Sequence, residues 1–313
     1  MKNIKGSARF ALPWSTKELD QKGVDLIKEK QNQILQQLNE FSPRLTNQLK
    51  NLPEESWATQ SHCDDWTVKD VMAHLSSVLT NYLIFIDSAK NEENILDDPN
   101  SLRPEPGKLD GKSLAGVLSE RAKETSKSFD SKDVLIDELE LRFTRLLDGF
   151  NSCQDNQWNL PAYHPVNWVS IQGILLWTLF ESTIHAWDAL NAVDEKYLVD
   201  ESLAPLLPEY FCNKLINRWF KTTDSSDSPS QTLAVNFGTL NGLRIASSSG
   251  KLDIEELPIN SFDSDAEIHT SASEFALLIT GRKNLSESIE DSSTQLTGNQ
   301  SHVDSFSKWF TGS

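Results

Sequence analysis

Between Val169 and Ala192 the chain carries Ile171, Ile174, Leu175, Leu176, Trp177, Leu179 and Phe180, apolar nearly all the way round a helical circumference. A helix of that kind is stable only when buried on most sides, so other elements must wrap around it. Three further stretches can do so. From Val24 to Leu52, Leu26, Ile27, Ile34, Leu35, Leu38, Phe41, Leu45 and Leu49 recur at threes and fours, which predicts an amphipathic helix, with a break expected at Pro43 and an end at Pro53. A second helix starts where Thr67 can cap and Asp70 sits three residues on, and it runs to about Ala89. A third runs from about Ser131 to Cys153 on the stripe Val134, Leu135, Leu139, Leu146, Leu147, Phe150. Residues 91–112, with Pro99, Pro104, Pro106 and Gly107, read as a long loop, followed by a short helix from Ser113. A further helical segment is expected over Leu203–Phe220.

The pattern then changes. Residues 222–231 read TTDSSDSPSQ, a linker composition. Beyond them apolar residues alternate at period two: Leu233, Val235 and Phe237; Leu243 and Ile245; Leu252 and Ile254; Ala266 and Ile268. Helical pieces follow at Ser271–Thr280 and Ser301–Phe310. The reading is an N-terminal extension over 1–22, an all-α region over 23–221, a linker over 222–231 and a small α+β unit over 232–313, strands first and helices after.

With a net charge of -17 the chain repels phosphate backbones, so nucleic acid and anionic membrane surfaces are excluded as partners. No apolar run follows the N-terminal lysines, and the longest apolar stretch, Gly173–Phe180, falls far short of the roughly 20 residues a bilayer needs. Cys63, Cys153 and Cys212 form no CxxC pair, which argues against a disulfide framework and a thiolate zinc site. A cytoplasmic monomer is the expectation.

Glu181 and His185 lie four residues apart beside the most apolar segment of the chain, so both project from one helical face. A carboxylate buried there must be paired, neutralised or bound to a metal. His74, in the apolar run of the second helix, is either a hydrogen-bonded core histidine or a third ligand from a facing helix. Two imidazoles and one carboxylate suit zinc with an open position, or ferrous iron as a facial triad; a plain Glu–His hydrogen bond remains the alternative on spacing alone. Asp188, three residues past His185, is either a partner that orients that imidazole or a surface carboxylate. Cys63 is expected as a small semi-buried residue rather than a reactive thiol; His62 and His164 are read as solvated loop histidines, either of which could instead reach a site, and Trp66, Trp168, Trp177 and Trp187 as core fillers, one or two of which could line a pocket. G-x-S-x-G, Walker, G-x-G-x-x-G and H-E-x-x-H sequences are all absent, which removes the common hydrolase, nucleotide-binding and metalloprotease readings.

The run Cys63-Asp64-Asp65-Trp66-Thr67-Val68-Lys69-Asp70-Val71-Met72-Ala73-His74-Leu75, with Glu181-Ser182-Thr183-Ile184-His185-Ala186-Trp187-Asp188 much later, resembles the mycothiol-dependent maleylpyruvate isomerase family of the DinB-like superfamily. The stretch Ala266–Arg282, ending in Gly281-Arg282, is similar to a strand-to-helix segment of sterol carrier proteins. The resemblance implies a DinB-like four-helix bundle, a sterol-carrier-like C-terminal domain, and a divalent metal, zinc, held by His74, Glu181 and His185. It implies a low-molecular-weight thiol cofactor, mycothiol or an analogue, activated at the metal for attack on an electrophilic small molecule, in an isomerase or S-transferase. It further implies that Asp188 orients a ligand and Arg282 binds a substrate carboxylate. The 91–112 loop is expected to close over the site. Two other readings compete: a lipid- or small-molecule-binding protein braced by the metal, and a metal-dependent hydrolase.

Overall fold

A computed structural model describes residues 21–63, 65–98, 102–109, 111–213, 215–220, 231–248, 251–258, 264, 266–298 and 300–310. Most of the N-terminal extension and of the 222–231 linker lies outside these residues, as do 99–101 and 110 of the long loop. Helix α1 spans Gln21–Lys50 and continues through Pro43 without a break. Leu38, Phe41, Leu45 and Leu49 are all fully buried on either side of that proline. Their packing outweighs the one backbone bond that proline removes.

Helix α2 (Val68–Lys90) begins at a complete capping box: Thr67 accepts from the Asp70 backbone N–H, and the Asp70 side chain accepts from the Thr67 backbone. Helix α3 (Gly111–Lys127) is longer than the short helix expected there and lies against α2. Helix α4 (Lys132–Asn151) is capped by Ser131. A two-residue antiparallel pair, β1 (Pro161–Ala162) with β2 (Val169–Ser170), precedes α5 (Ile171–Leu190). Helices α1, α2, α4 and α5 pack on one another, with α2 touching α4 and α5 and α1 bridging the same two. Every residue of α5 is buried except Glu181.

The segment expected as one helix over Leu203–Phe220 is instead a 3₁₀ turn at Ala204–Leu206, helix α6 (Leu207–Cys212) and a second 3₁₀ turn at Leu215–Trp219. Pro205 and Pro208 each stand in the first turn of a new element, where a missing N–H costs nothing.

A five-stranded sheet follows, ordered β5-β4-β3-β6-β7, from β3 (Gln231–Asn236), β4 (Gly242–Ser248), β5 (Lys251–Leu257), β6 (Ala266–Thr270) and β7 (Thr294–Gly298). Strands β3 and β6 run parallel and the other neighbours antiparallel. In β6, Ala266, Ile268 and Thr270 are buried while Glu267 and His269 are not, the period-two alternation of a half-covered sheet. Helices α7 (Ala272–Ile279), α8 (Leu285–Glu290) and α9 (Gln300–Trp309) complete the unit, and α9 packs on β3 and β6. The C-terminal part is therefore α/β with a sheet, but β7 comes after two helices, so strands and helices interleave rather than following in blocks.

Helix α6 joins the two parts through neighbouring aromatic residues. Tyr210 stacks on Phe180 of α5 at 4.0 Å between ring centroids, and Phe211 meets Phe275 of α7 edge-on at 4.9 Å. One continuous buried core results. No helix among the described residues is long and apolar enough to cross a membrane.

Candidate metal centre and adjoining cavity

Helix α2 opens at the capping box, and His74 lies in its second turn, facing α5 across the bundle. There Glu181 Oε2 lies 3.0 Å from His185 Nε2 and 3.8 Å from His74 Nε2. The two imidazoles meet edge to face at 4.9 Å, and Trp66 tilts over His74 at 4.8 Å. Tetrahedral bonds of about 2.0–2.1 Å to nitrogen and oxygen put ligand atoms about 3.3 Å apart. The three donors converge within 4.8 Å of one another, so the set fits a divalent ion with little movement.

The other ring nitrogen of His185 is equally well defined. Nδ1 lies 2.9 Å from Asp188 Oδ2, which fixes a proton on Nδ1 and turns Nε2 toward Glu181 and His74. Asp188 is fully buried and is matched from the C-terminal part: Arg282 Nε donates to Oδ1 at 3.0 Å and Nη2 to Oδ2 at 2.9 Å. Arg282 Nη1 donates to the Thr280 carbonyl, and Nη2 also lies 3.2 Å from Cys63 Sγ. The Cys63 thiol in turn donates to Asp188 Oδ2 at 3.1 Å. Cys63, His185 and Asp188 form a second convergent donor set. The Arg282 cation already sits on both its sulfur and its carboxylate, and a divalent ion there would face that charge at close range. His74, Glu181 and His185 are the better metal donors.

The electrostatics follow this arrangement. Burial opposes the charge of Glu181, but hydrogen bonds from His185 and His74 outweigh it and hold its pKa far below the ordinary carboxylate range. Burial likewise opposes Asp188, and the Arg282 charge with hydrogen bonds from His185 and Arg282 brings its pKa far below that range. Burial would discharge His185, yet its bonds to Asp188, Cys63 and Glu181 raise its pKa well above the ordinary value. His74, which lacks an Asp188 of its own, is lowered by burial. Burial, then the Asp188 charge, push the Cys63 thiol up despite Arg282.

On the other side of His74 and Glu181 lies a cavity of about 130 Å³. Tyr82, Tyr163, His164 and Trp177 line it, as do Arg103, Arg121 and Arg218. His164 is buried, stacked on Trp177 at 4.5 Å and bonded to Tyr82, not solvated as a loop histidine would be. His62 is exposed; it stacks on Trp187 and contacts Asn191. Trp66, Trp177 and Trp187 are buried, and Trp168 is partly so. Arg103, Pro104 and Val166 bring the end of the long loop and the 163–166 segment to the cavity wall. The contact of Cys63 with Asp188 and Arg282, and the arginine lining, had no local signal in the sequence.

A helical bundle with a His–Glu–His cluster between two of its helices, continued into a small α/β unit that supplies an arginine beside it, defines the class. Residues 38–190 match the family model described as the mycothiol maleylpyruvate isomerase N-terminal domain, and this stretch of the chain belongs to that family. Among solved structures, the chain is similar to the mycothiol-dependent maleylpyruvate isomerase at 14% identity and TM-score 0.54, over 81% of this chain and 90% of that one. It is similar to a histidine-to-alanine mutant of that isomerase at 13% identity and TM-score 0.55, over 85% and 92% of the two chains. At these identities the likeness establishes the fold, and it extends over both parts of the molecule. No curated protein matches the chain significantly.

Proposed function

We propose that the chain is an enzyme of the maleylpyruvate isomerase family that uses a divalent metal, zinc, and a low-molecular-weight thiol to act on an electrophilic small molecule by isomerisation or S-transfer. The observation that carries this reading is the convergence of His74, Glu181 and His185 within 4.8 Å, with His74 and Glu181 at the wall of a cavity. Bound there, a divalent ion would supply the Lewis acidity that makes a thiolate available at neutral pH.

The chain's own residues do the rest. Asp188 holds the Nδ1 proton of His185, which keeps the Nε2 lone pair directed to the centre. Arg282 holds Asp188 through Nε and Nη2 and donates to the Thr280 carbonyl through Nη1, and we assign it this positioning role beside the substrate-carboxylate binding that the resemblance implies. The cavity beside the cluster, lined by Tyr82, Tyr163, Trp177 and the arginines Arg103, Arg121 and Arg218, leaves room for a small electrophile. In this reading residues 23–221 form a DinB-like bundle, 232–313 a sterol-carrier-like domain, and 222–231 their linker, in a cytoplasmic monomer.

The test is metal analysis of the purified protein, followed by calorimetric titration of mycothiol, bacillithiol and glutathione. The reading predicts about one metal per chain and saturable binding of one thiol. Purification without metal, or metal with no thiol bound, would overturn it.

A further inference from the structure

The cavity beside His74 and Glu181 contains a hydrogen-bond donor whose direction is set by a neighbouring histidine. The Val166 backbone N–H donates to His164 Nδ1 at 3.3 Å, so Nδ1 carries no proton. A neutral imidazole then holds its proton on Nε2. Burial keeps the ring neutral, with a pKa lowered to about 3. Nε2 lies 3.2 Å from the Tyr82 hydroxyl oxygen, so the histidine donates and the tyrosine accepts. The proton of the Tyr82 hydroxyl must therefore point elsewhere, and it has no acceptor among the described residues. Burial, with the Glu181 charge behind it, holds the phenol well above its ordinary pKa, so the group remains a donor.

A second donor faces the same problem. Trp177 lines the cavity and stacks on His164, and its buried indole N–H has no hydrogen-bond partner among the described residues. A buried donor left unpaired costs roughly 1–3 kcal/mol, a cost that a bound ligand can remove. The charges of the lining indicate what kind of ligand. Three of the chain's nine arginines, Arg103, Arg121 and Arg218, line this one cavity, against the single carboxylate of Glu181, in a chain whose net charge is -17. A cavity so lined draws anions that the rest of the surface repels.

We propose that Tyr82, oriented by His164, donates a hydrogen bond to an anionic oxygen of the ligand in this cavity. Tyr82 is then a ligand-contacting residue and His164 a positioning residue that acts through it. The inference deepens the proposed function and rests on it for the cavity's role as the electrophile's side of the centre.

The experiment titrates maleate, a small cis-dicarboxylate, into the full metal-loaded chain and into its Tyr82→Phe, His164→Leu and double variants. Maleamide, its uncharged relative, serves as control. Wild type should bind maleate and bind maleamide at least tenfold more weakly. Tyr82→Phe should weaken maleate binding about tenfold or more, the scale of one hydrogen bond to a charged group. His164→Leu should do the same with unchanged metal content, and the double variant should be no worse than Tyr82→Phe alone. Tyr82→Phe binding maleate as wild type does, additive losses in the double variant, or no maleate binding by wild type would each overturn the inference. Tyr82→Phe removes one oxygen and decides the matter even if His164→Leu fails to fold. Metal content and thiol binding of wild type are read separately, so a failure of the functional reading is distinguishable from a failure here.

Discussion

Asp188 and Arg282, 94 residues apart, form a two-pronged ion pair with both side chains out of solvent, Nε on one carboxylate oxygen and Nη2 on the other. Removing one partner of such a pair strands a buried charge, which typically costs about 3–5 kcal/mol. Arg282→Met should therefore lose stability on that scale in urea unfolding. The Asp188→Asn/Arg282→Met double variant should recover most of the loss. A single variant as stable as wild type would mean that water reaches Asp188 once the arginine is gone.

Removing one donor from the candidate metal cluster leaves two ligands from facing helices. His74→Ala and Glu181→Gln should each retain less than about a tenth of the wild-type metal after dialysis, measured by elemental analysis. Circular dichroism should show the helices intact. Full metal content in His74→Ala would rule out α2 as a source of a ligand.

The pKa shifts give opposite pH signs in the metal-free protein. Asp188 and Glu181 are depressed below 3.8 and 4.5, so their stabilisation is present above those values and is lost as pH falls toward their folded pKa values. His185 is raised above 6.5, so its contribution is complete below that pH and fades as pH rises through its folded value. Urea midpoints of metal-free protein should fall on both sides of a mildly acidic optimum. A metal must displace the Nε2 proton of His185, so loading near pH 7 should release about one proton, detected by calorimetry in buffers of differing ionisation heat. A midpoint still climbing above pH 8 would contradict the assignment of His185.

The α2 capping box is a local device with a local cost. Thr67→Ala removes the acceptor for the Asp70 backbone N–H and should cost about 1 kcal/mol in chemical denaturation. Metal stoichiometry should stay unchanged, because the bundle contacts of α2 hold His74 independently of its first turn.

What could be read from the sequence was what short-range chemistry encodes. The Thr67–Asp70 cap, the i,i+4 pair of Glu181 and His185 and the all-round apolar α5 each lie within one helix, and each is present. His74 was ambiguous because a single buried histidine has many explanations; family resemblance, not spacing, singled it out. Strand β7 carries no period-two signal because only Leu296 in Thr294–Gly298 is a large apolar residue, as suits the edge of a sheet. The loop expected to cover the site is described only in part, yet its Arg103 and Pro104 do reach the cavity. The junction of Cys63, Asp188 and Arg282 spans 219 residues and carries no periodicity, so only the fold brings it to view.

That junction also bears on modularity. A helical region cut free of its C-terminal partner would leave Asp188 without the Arg282 cation, one bond away from a histidine of the candidate centre. The two parts of this chain are therefore not interchangeable cassettes: any partner fused after α6 would have to bring its own cation to Asp188, or the helix that holds His185 would have to give the acid up.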